Sequence, residues 1–121
     1  VTHTSLAKLR LGTIVFNVVD LAAAEAFWSE ALGLRRLAHE KTWILLGADD
    51  SISLFLQAVD EMPQSGQGVH VDLETPEMEA EIGRLVGMGA AVVARRSEFG
   101  TTWTTMRDPA GYLFDVVEHA N

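Results

Sequence analysis

Two stretches of the chain alternate apolar and polar residues with the period of a half-buried strand. In Gly12–Val19, Ile14, Phe16 and Val18 share one face, and Thr13, Val15 and Asn17 the other. In Val69–Glu74, Val69, Val71 and Leu73 oppose His70, Asp72 and Glu74. Each is followed by a helical pattern. Asp20 stands at an N-cap before Leu21, Ala24, Trp28, Ala31 and Leu32, and Gly33 supplies the stop. Thr75 stands at an N-cap with Pro76 at the first helical position, ahead of Met78, Ile82, Leu85 and Met88, with Gly89 ending the helix. Short strands are expected after each helix. They are Arg35–Glu40, Thr42–Leu46 and Ser51–Ala58, then Ala91–Arg95, Thr101–Arg107 and Tyr112–Glu118. Gly47-Ala48-Asp49-Asp50 and Asp108-Pro109-Ala110-Gly111 read as turns.

The pattern is therefore β-α-β-β-β, written twice. Thr13 maps onto His70, Leu21 onto Met78 and Trp28 onto Leu85, each 57 residues on. Residues 59–68 are polar with Pro63, Gly66 and Gly68, and form the linker. The boundaries are a first module over about 11–58 and a second over about 69–118, inside one domain of residues 1–121. A unit of this size buries its own sheet face poorly, so the pair is expected to share a core. The class is α+β, with curved sheets around a shared cavity and helices outside.

Charge narrows the partners. Nine Lys and Arg against 17 Asp and Glu give a net charge of -8, which disfavours nucleic acid because phosphate binding needs a basic footprint. The absence of cysteine excludes disulfides and thiolate chemistry. No apolar run is long enough for a membrane span, and Val1–Arg10 does not read as a signal peptide, so a cytoplasmic protein is expected. His3, His39 and His119 read as surface residues. The pairs Arg35-Arg36 and Arg95-Arg96 read as solvated strand ends. Trp28, at helical spacing, reads as core.

The tandem modules, Val19-Asp20-Leu21, the helix end Phe27-Trp28-Ser29-Glu30-Ala31-Leu32-Gly33-Leu34, His70-Val71-Asp72-Leu73-Glu74, Gly87-Met88-Gly89-Ala90, Gly100-Thr101-Thr102-Trp103 and Asp108-Pro109-Ala110-Gly111-Tyr112 resemble the vicinal oxygen chelate superfamily. This superfamily comprises glyoxalase, bleomycin-resistance and dioxygenase proteins, and the resemblance is to its small glyoxalase-like members. It spans about residues 11–118. It implies metal-ligand positions on the first and last strands of each module, here Thr13, Gln57, His70 and Asp115. Thr13 is not a usual ligand, so the candidate metal residues are His70, Asp115 and Gln57.

The resemblance implies a protein that binds a small organic molecule in the cavity between modules, as bleomycin-resistance-type binders do, with no resident cofactor. Its contacts would be Thr13, Asn17, Trp43, Phe55, Gln57, His70, Asp72, Trp103 and Asp115. Aromatic walls with negative charge favour planar or cationic ligands. One alternative is a divalent-metal-dependent lyase, isomerase or dioxygenase using Zn, Ni, Mn or Fe. The other is a non-catalytic regulatory or scaffold module. Family members often pair, so a homodimer is also expected.

Overall fold

The computed structural model describes residues 8–49, 52–62 and 68–120. By its contacts the chain divides into two compact units, Gly12–Asp72 in one and Val1–Leu11 with Leu73–Asn121 in the other. The division crosses two strands, between Leu11 and Gly12 and between Asp72 and Leu73, and residues 63–67 of the expected linker lie outside the described residues. His3, Asp50 at the end of the first expected turn and Ser51 at the start of the strand expected after it also lie outside them.

The first unit holds β1 (Arg10–Val18) from Gly12 onward, α1 (Leu21–Leu32), β2 (Arg35–Glu40), β3 (Trp43–Gly47) and β4 (Ser53–Ala58). Its strands lie in the order β2-β3-β4-β1. β1 runs parallel to β4, with Thr13 beside Ser53 and Asn17 beside Gln57. The other pairs are antiparallel. Ile44, Leu46, Leu54 and Leu56 are buried beneath Leu21, Ala24 and Trp28. Trp28 is therefore a core residue, and its ring lies 5.1 Å from that of Phe16. The covering stripe is shorter than the sequence pattern, because Ala31 and Leu32 are exposed.

Asp20 caps α1, its carboxylate accepting from Ala23 N at 3.0 Å. Gly33 ends α1 at φ 66°, where an L side chain is strained, and nothing lies within 4 Å of an added Cβ. Gly33→Ala should thus lose about 1 kcal/mol from backbone strain alone. A urea midpoint equal to that of the parent would contradict this.

β5 (Val69–Glu74) carries the chain from one unit to the other. The second unit then adds α2 (Met78–Gly87), β6 (Ala91–Glu98), β7 (Thr101–Arg107) and β8 (Leu113–His119). Its hairpins are antiparallel, in the order β8-β7-β6. Met78, Ile82, Met106 and Val116 are buried, with Leu9, Leu85, Ala90 and Phe114 packed around them. Met88 falls outside this stripe and is exposed.

The start of α2 departs from the sequence reading. Thr75 Oγ1 accepts from Glu77 N at 2.9 Å. The first helical amide, Met78 N, instead donates to Glu118 Oε1 of β8 at 2.8 Å. The helix therefore starts two residues later than read, with Glu77 at the N-cap position and no side-chain cap bond of its own. A carboxylate at this end also suits the helix dipole. The last turn, by contrast, forms as read: Asp108 Oδ1 accepts from Ala110 N and Tyr112 N, each at 2.9 Å.

The repeat is clearest in its irregularities. The β2–β3 register slips between Arg36 and Ala38, and the β6–β7 register slips between Val92 and Ala94, 56 residues later. Aligned on these bulges, Trp43 corresponds to Trp103 and Leu45 to Thr105. Among the described residues, no helix is long and apolar enough to cross a membrane.

Candidate ligand-binding faces

In each unit one sheet face is covered by a helix. The opposite face carries the residues with chemistry, because side chains alternate along a strand. In the first unit that face presents Thr13, Val15, Asn17, Trp43, Leu45, Ser53, Phe55 and Gln57. The rings of Trp43 and Phe55 stack, 5.2 Å between centroids and 26° between planes. Thr13 Oγ1 and Ser53 Oγ are 3.1 Å apart across the parallel pair, and Ser53 Oγ donates to Gly12 O at 3.3 Å. Gln57 lies beside Asn17 and is exposed. The result is an aromatic platform edged by hydroxyl and amide groups.

β5 places His70 and Asp72 on one side, two residues apart. His70 Nε2 is 3.4 Å from Asp72 Oδ1. That oxygen is buried and accepts no hydrogen bond among the described residues. At 3.4 Å the imidazole is a close neighbour without hydrogen-bonding geometry. A carboxylate oxygen left this way is poised for a donor or a cation.

In the second unit, Asp115 is 7% exposed. Thr105 Oγ1 donates to Asp115 Oδ1 at 2.6 Å across the β7–β8 pair. Trp103 pairs with Val117 on the same face, and the Arg96 guanidinium lies 5.1 Å from its ring centroid. Trp43 and Trp103, both expected as ligand contacts, therefore sit on the face of their own unit away from its helix.

The hairpin registers change one correspondence. Trp43 is opposite Gln57 and Trp103 is opposite Val117. Leu45 is opposite Phe55 and Thr105 is opposite Asp115. The first-module counterpart of Asp115 is thus Phe55, and that of Gln57 is Val117. A phenyl ring stands where the second module has a carboxylate.

Within the first unit, the candidate ion ligands among the described residues are His70 and Asp72. Imidazole nitrogen and carboxylate oxygen suit a divalent ion such as Zn or Mn, and the unsatisfied Asp72 oxygen fits one. Thr13 and Phe55 add no strong donor from the first module. Asp72 was read from sequence as a ligand contact but not as a metal ligand. Thr105 was missed altogether. Its only signal is its place opposite Asp115, which needs the hairpin register.

Of the basic pairs, Arg96 lies over Trp103 and the other three arginines are committed elsewhere. Arg36 binds Glu25 through two bonds, at 2.7 and 2.6 Å, and holds the Glu25 carboxyl below its ordinary range. Arg35 reaches Asp49 at 3.0 Å. Arg95 pairs with Glu79 and donates to Thr104 Oγ1 at 3.0 Å. His39 is exposed on β2, and His119 Nδ1 lies 3.2 Å from Thr101 Oγ1.

Comparison with known proteins places this architecture. Residues 13–117 match the model of the glyoxalase-like domain. Methylmalonyl-CoA epimerase from Mycobacterium tuberculosis superposes with a TM-score of 0.78 at 19% identity, over 98% of this chain and 94% of that one. A glyoxalase/bleomycin resistance protein/dioxygenase superfamily member from Vibrio splendidus 12B01 gives 0.69 at 20%, over 91% and 98%. A Streptomyces coelicolor methylmalonyl-CoA epimerase variant in complex with 2-nitronate-propionyl-CoA gives 0.71 at 21%, over 93% and 98%. A search of curated proteins found no match. At these identities the structural likeness establishes the fold, α+β with tandem βαβββ modules. With the family match covering most of its length, the chain belongs to the glyoxalase-like domain family.

Proposed function

We propose that this protein binds a small planar organic molecule through the aromatic platform of its first module, without a resident metal. The observation that carries this reading is the stacked Trp43–Phe55 pair, with Phe55 at the counterpart of Asp115. A module that offers Thr13 and Phe55 at its ligand positions offers a stacking surface instead of a chelate. A planar ligand gains dispersion and quadrupole attraction on such a surface. A positive charge on the ligand adds cation–π attraction, and the carboxylate of Asp72 favours the same sign. Thr13, Asn17, Ser53 and Gln57 would fix orientation by hydrogen bonds, and His70 would add a further contact. The chain's net charge of -8 favours the approach of a cation.

The test is a fluorescence titration with a planar cationic acridine. Trp43→Ala and Phe55→Leu should each weaken binding by about tenfold. Trp28→Phe, in the core, should leave it unchanged. Unaltered affinity in Trp43→Ala would remove the reading.

A second reading is favoured by the buried Asp72 oxygen beside His70. Here His70 and Asp72 would hold a divalent ion. Such an ion acts as a Lewis acid on a carbonyl or enolate oxygen, the chemistry of a lyase, isomerase or dioxygenase. Equilibrium dialysis of the stripped protein against Zn, Ni, Mn and Fe separates the two. Stoichiometric retention that disappears in His70→Ala would favour the metal and count against the first reading. No retention would favour the binder.

A further inference from the structure

Against an acidic chain, one concavity of the second unit collects cations. It is lined by Lys8, Leu9, Arg10, Glu74, Thr75, Pro76, Val117 and His119 and encloses about 390 Å³. Its walls are pinned from three sides. The Lys8 backbone N–H donates to the buried Glu81 carboxylate. Arg10 bonds Glu74 at 2.6 Å. Thr75 N donates to Val117 O at 3.0 Å, tying the β5–α2 junction to β8. A groove held in this way loses little entropy when it is filled.

Its chemistry is divided. Leu9, Pro76 and Val117 give an apolar wall. Lys8 and Arg10 bring two positive charges and Glu74 one negative, leaving a net charge of one plus before His119 is counted. Glu74 occupies one side of the Arg10 guanidinium, and the Lys8 side chain is exposed. A single positive charge beside an apolar wall complements a single negative charge on an apolar body. We infer that this groove binds small amphipathic monoanions, a carboxylate on a short hydrocarbon chain, with the carboxylate at Lys8 and Arg10 and the chain along Leu9, Pro76 and Val117. The inference is independent of the acridine platform, which selects the opposite charge.

The experiment is an amide chemical-shift titration of the full chain with hexanoate, hexanol and hexylammonium. Hexanoate should give saturable shifts centred on Leu9, Thr75, Val117 and His119. Hexanol should bind about tenfold more weakly, and Lys8→Glu should weaken hexanoate by a similar factor. Raising the salt should weaken hexanoate and leave hexanol unchanged. Lys8→Glu keeps the backbone bond to Glu81, and Arg10→Gln serves as a second variant if its spectrum is altered. Hexylammonium binding as tightly as hexanoate, shifts centred on Trp43 and Phe55, or full affinity in both variants would overturn the inference.

Discussion

Replacing Leu56 by Ala is expected to destabilise the protein by about 3 kcal/mol, the usual loss for a fully enclosed leucine. Leu56 is 0% exposed and sits among Ile44, Leu46 and Leu54 beneath α1. The site has little means of closing the gap. α1 has no fully buried residue of its own, and it meets the sheet through Leu21, Ala24 and Trp28. Trp28 is held against Phe16 and Phe27, whose rings are each 5.1 Å away, so it does not slide freely into a cavity. The melting temperature should fall by about 10 °C for a chain of this length. Urea unfolding should show a lower midpoint with an unchanged slope. Leu32→Ser, at a residue 55% exposed on the same helix, should change stability by less than about 0.5 kcal/mol. Equal losses in the two variants would mean that the core lies elsewhere.

The second large effect is expected at Glu81, which is 2% exposed in α2. Arg84 Nε donates to one carboxylate oxygen at 2.5 Å, and the Lys8 backbone N–H donates to the other. The hydrogen bond from Arg84 is the main cause holding the carboxyl below its ordinary value of 4.5, opposed by desolvation and assisted by Lys8. A depressed folded value means that the unfolded chain binds protons first as pH falls. The stabilisation is therefore complete above the ordinary carboxyl range and is lost as pH drops through the lower folded value. Glu81→Gln should cost about 2 kcal/mol at neutral pH, because one of the two donors keeps only a neutral acceptor and the other faces the amide NH2 and loses its bond. It should also flatten the acid limb of the stability curve. Some slope should remain, because Glu25 beside Arg36 is shifted in the same direction. Chemical denaturation across the acidic range checks both parts. Parallel curves for parent and variant would show that Glu81 carries no linkage.

Much of the secondary structure could be read residue by residue. Asp20 and Gly33 bracket α1 because a cap is a local device, set by one side chain and one backbone angle. Arg35–Glu40, Val69–Glu74 and Thr101–Arg107 form strands at the expected bounds, since alternation and turn residues act over a few positions. The start of α2 was misplaced because its cap, Glu118, comes from a strand 40 residues away. Ala31, Leu32 and Met88 fit the helical period but are exposed, because periodicity identifies a stripe without saying how far the sheet beneath it extends.

The functional faces divide in the same way. Sequence alone established two βαβββ modules, a paired threonine and histidine at their first strands, and an acidic chain without thiols. The spacing of like residues and the local rules of strand, cap and turn are sufficient for that. Which residue stands opposite which was decided by tertiary structure. Bulges at Leu37 and Val93 set the hairpin registers, placed Phe55 rather than Gln57 at the counterpart of Asp115, and brought Thr105 onto that carboxylate. Only folding stacked Trp43 on Phe55, left the Asp72 oxygen buried beside His70 and drew Lys8 and Arg10 to one groove. The physical reason is that one slipped residue in a sheet turns each following side chain to the opposite face, and pattern along a chain does not encode pairing across it.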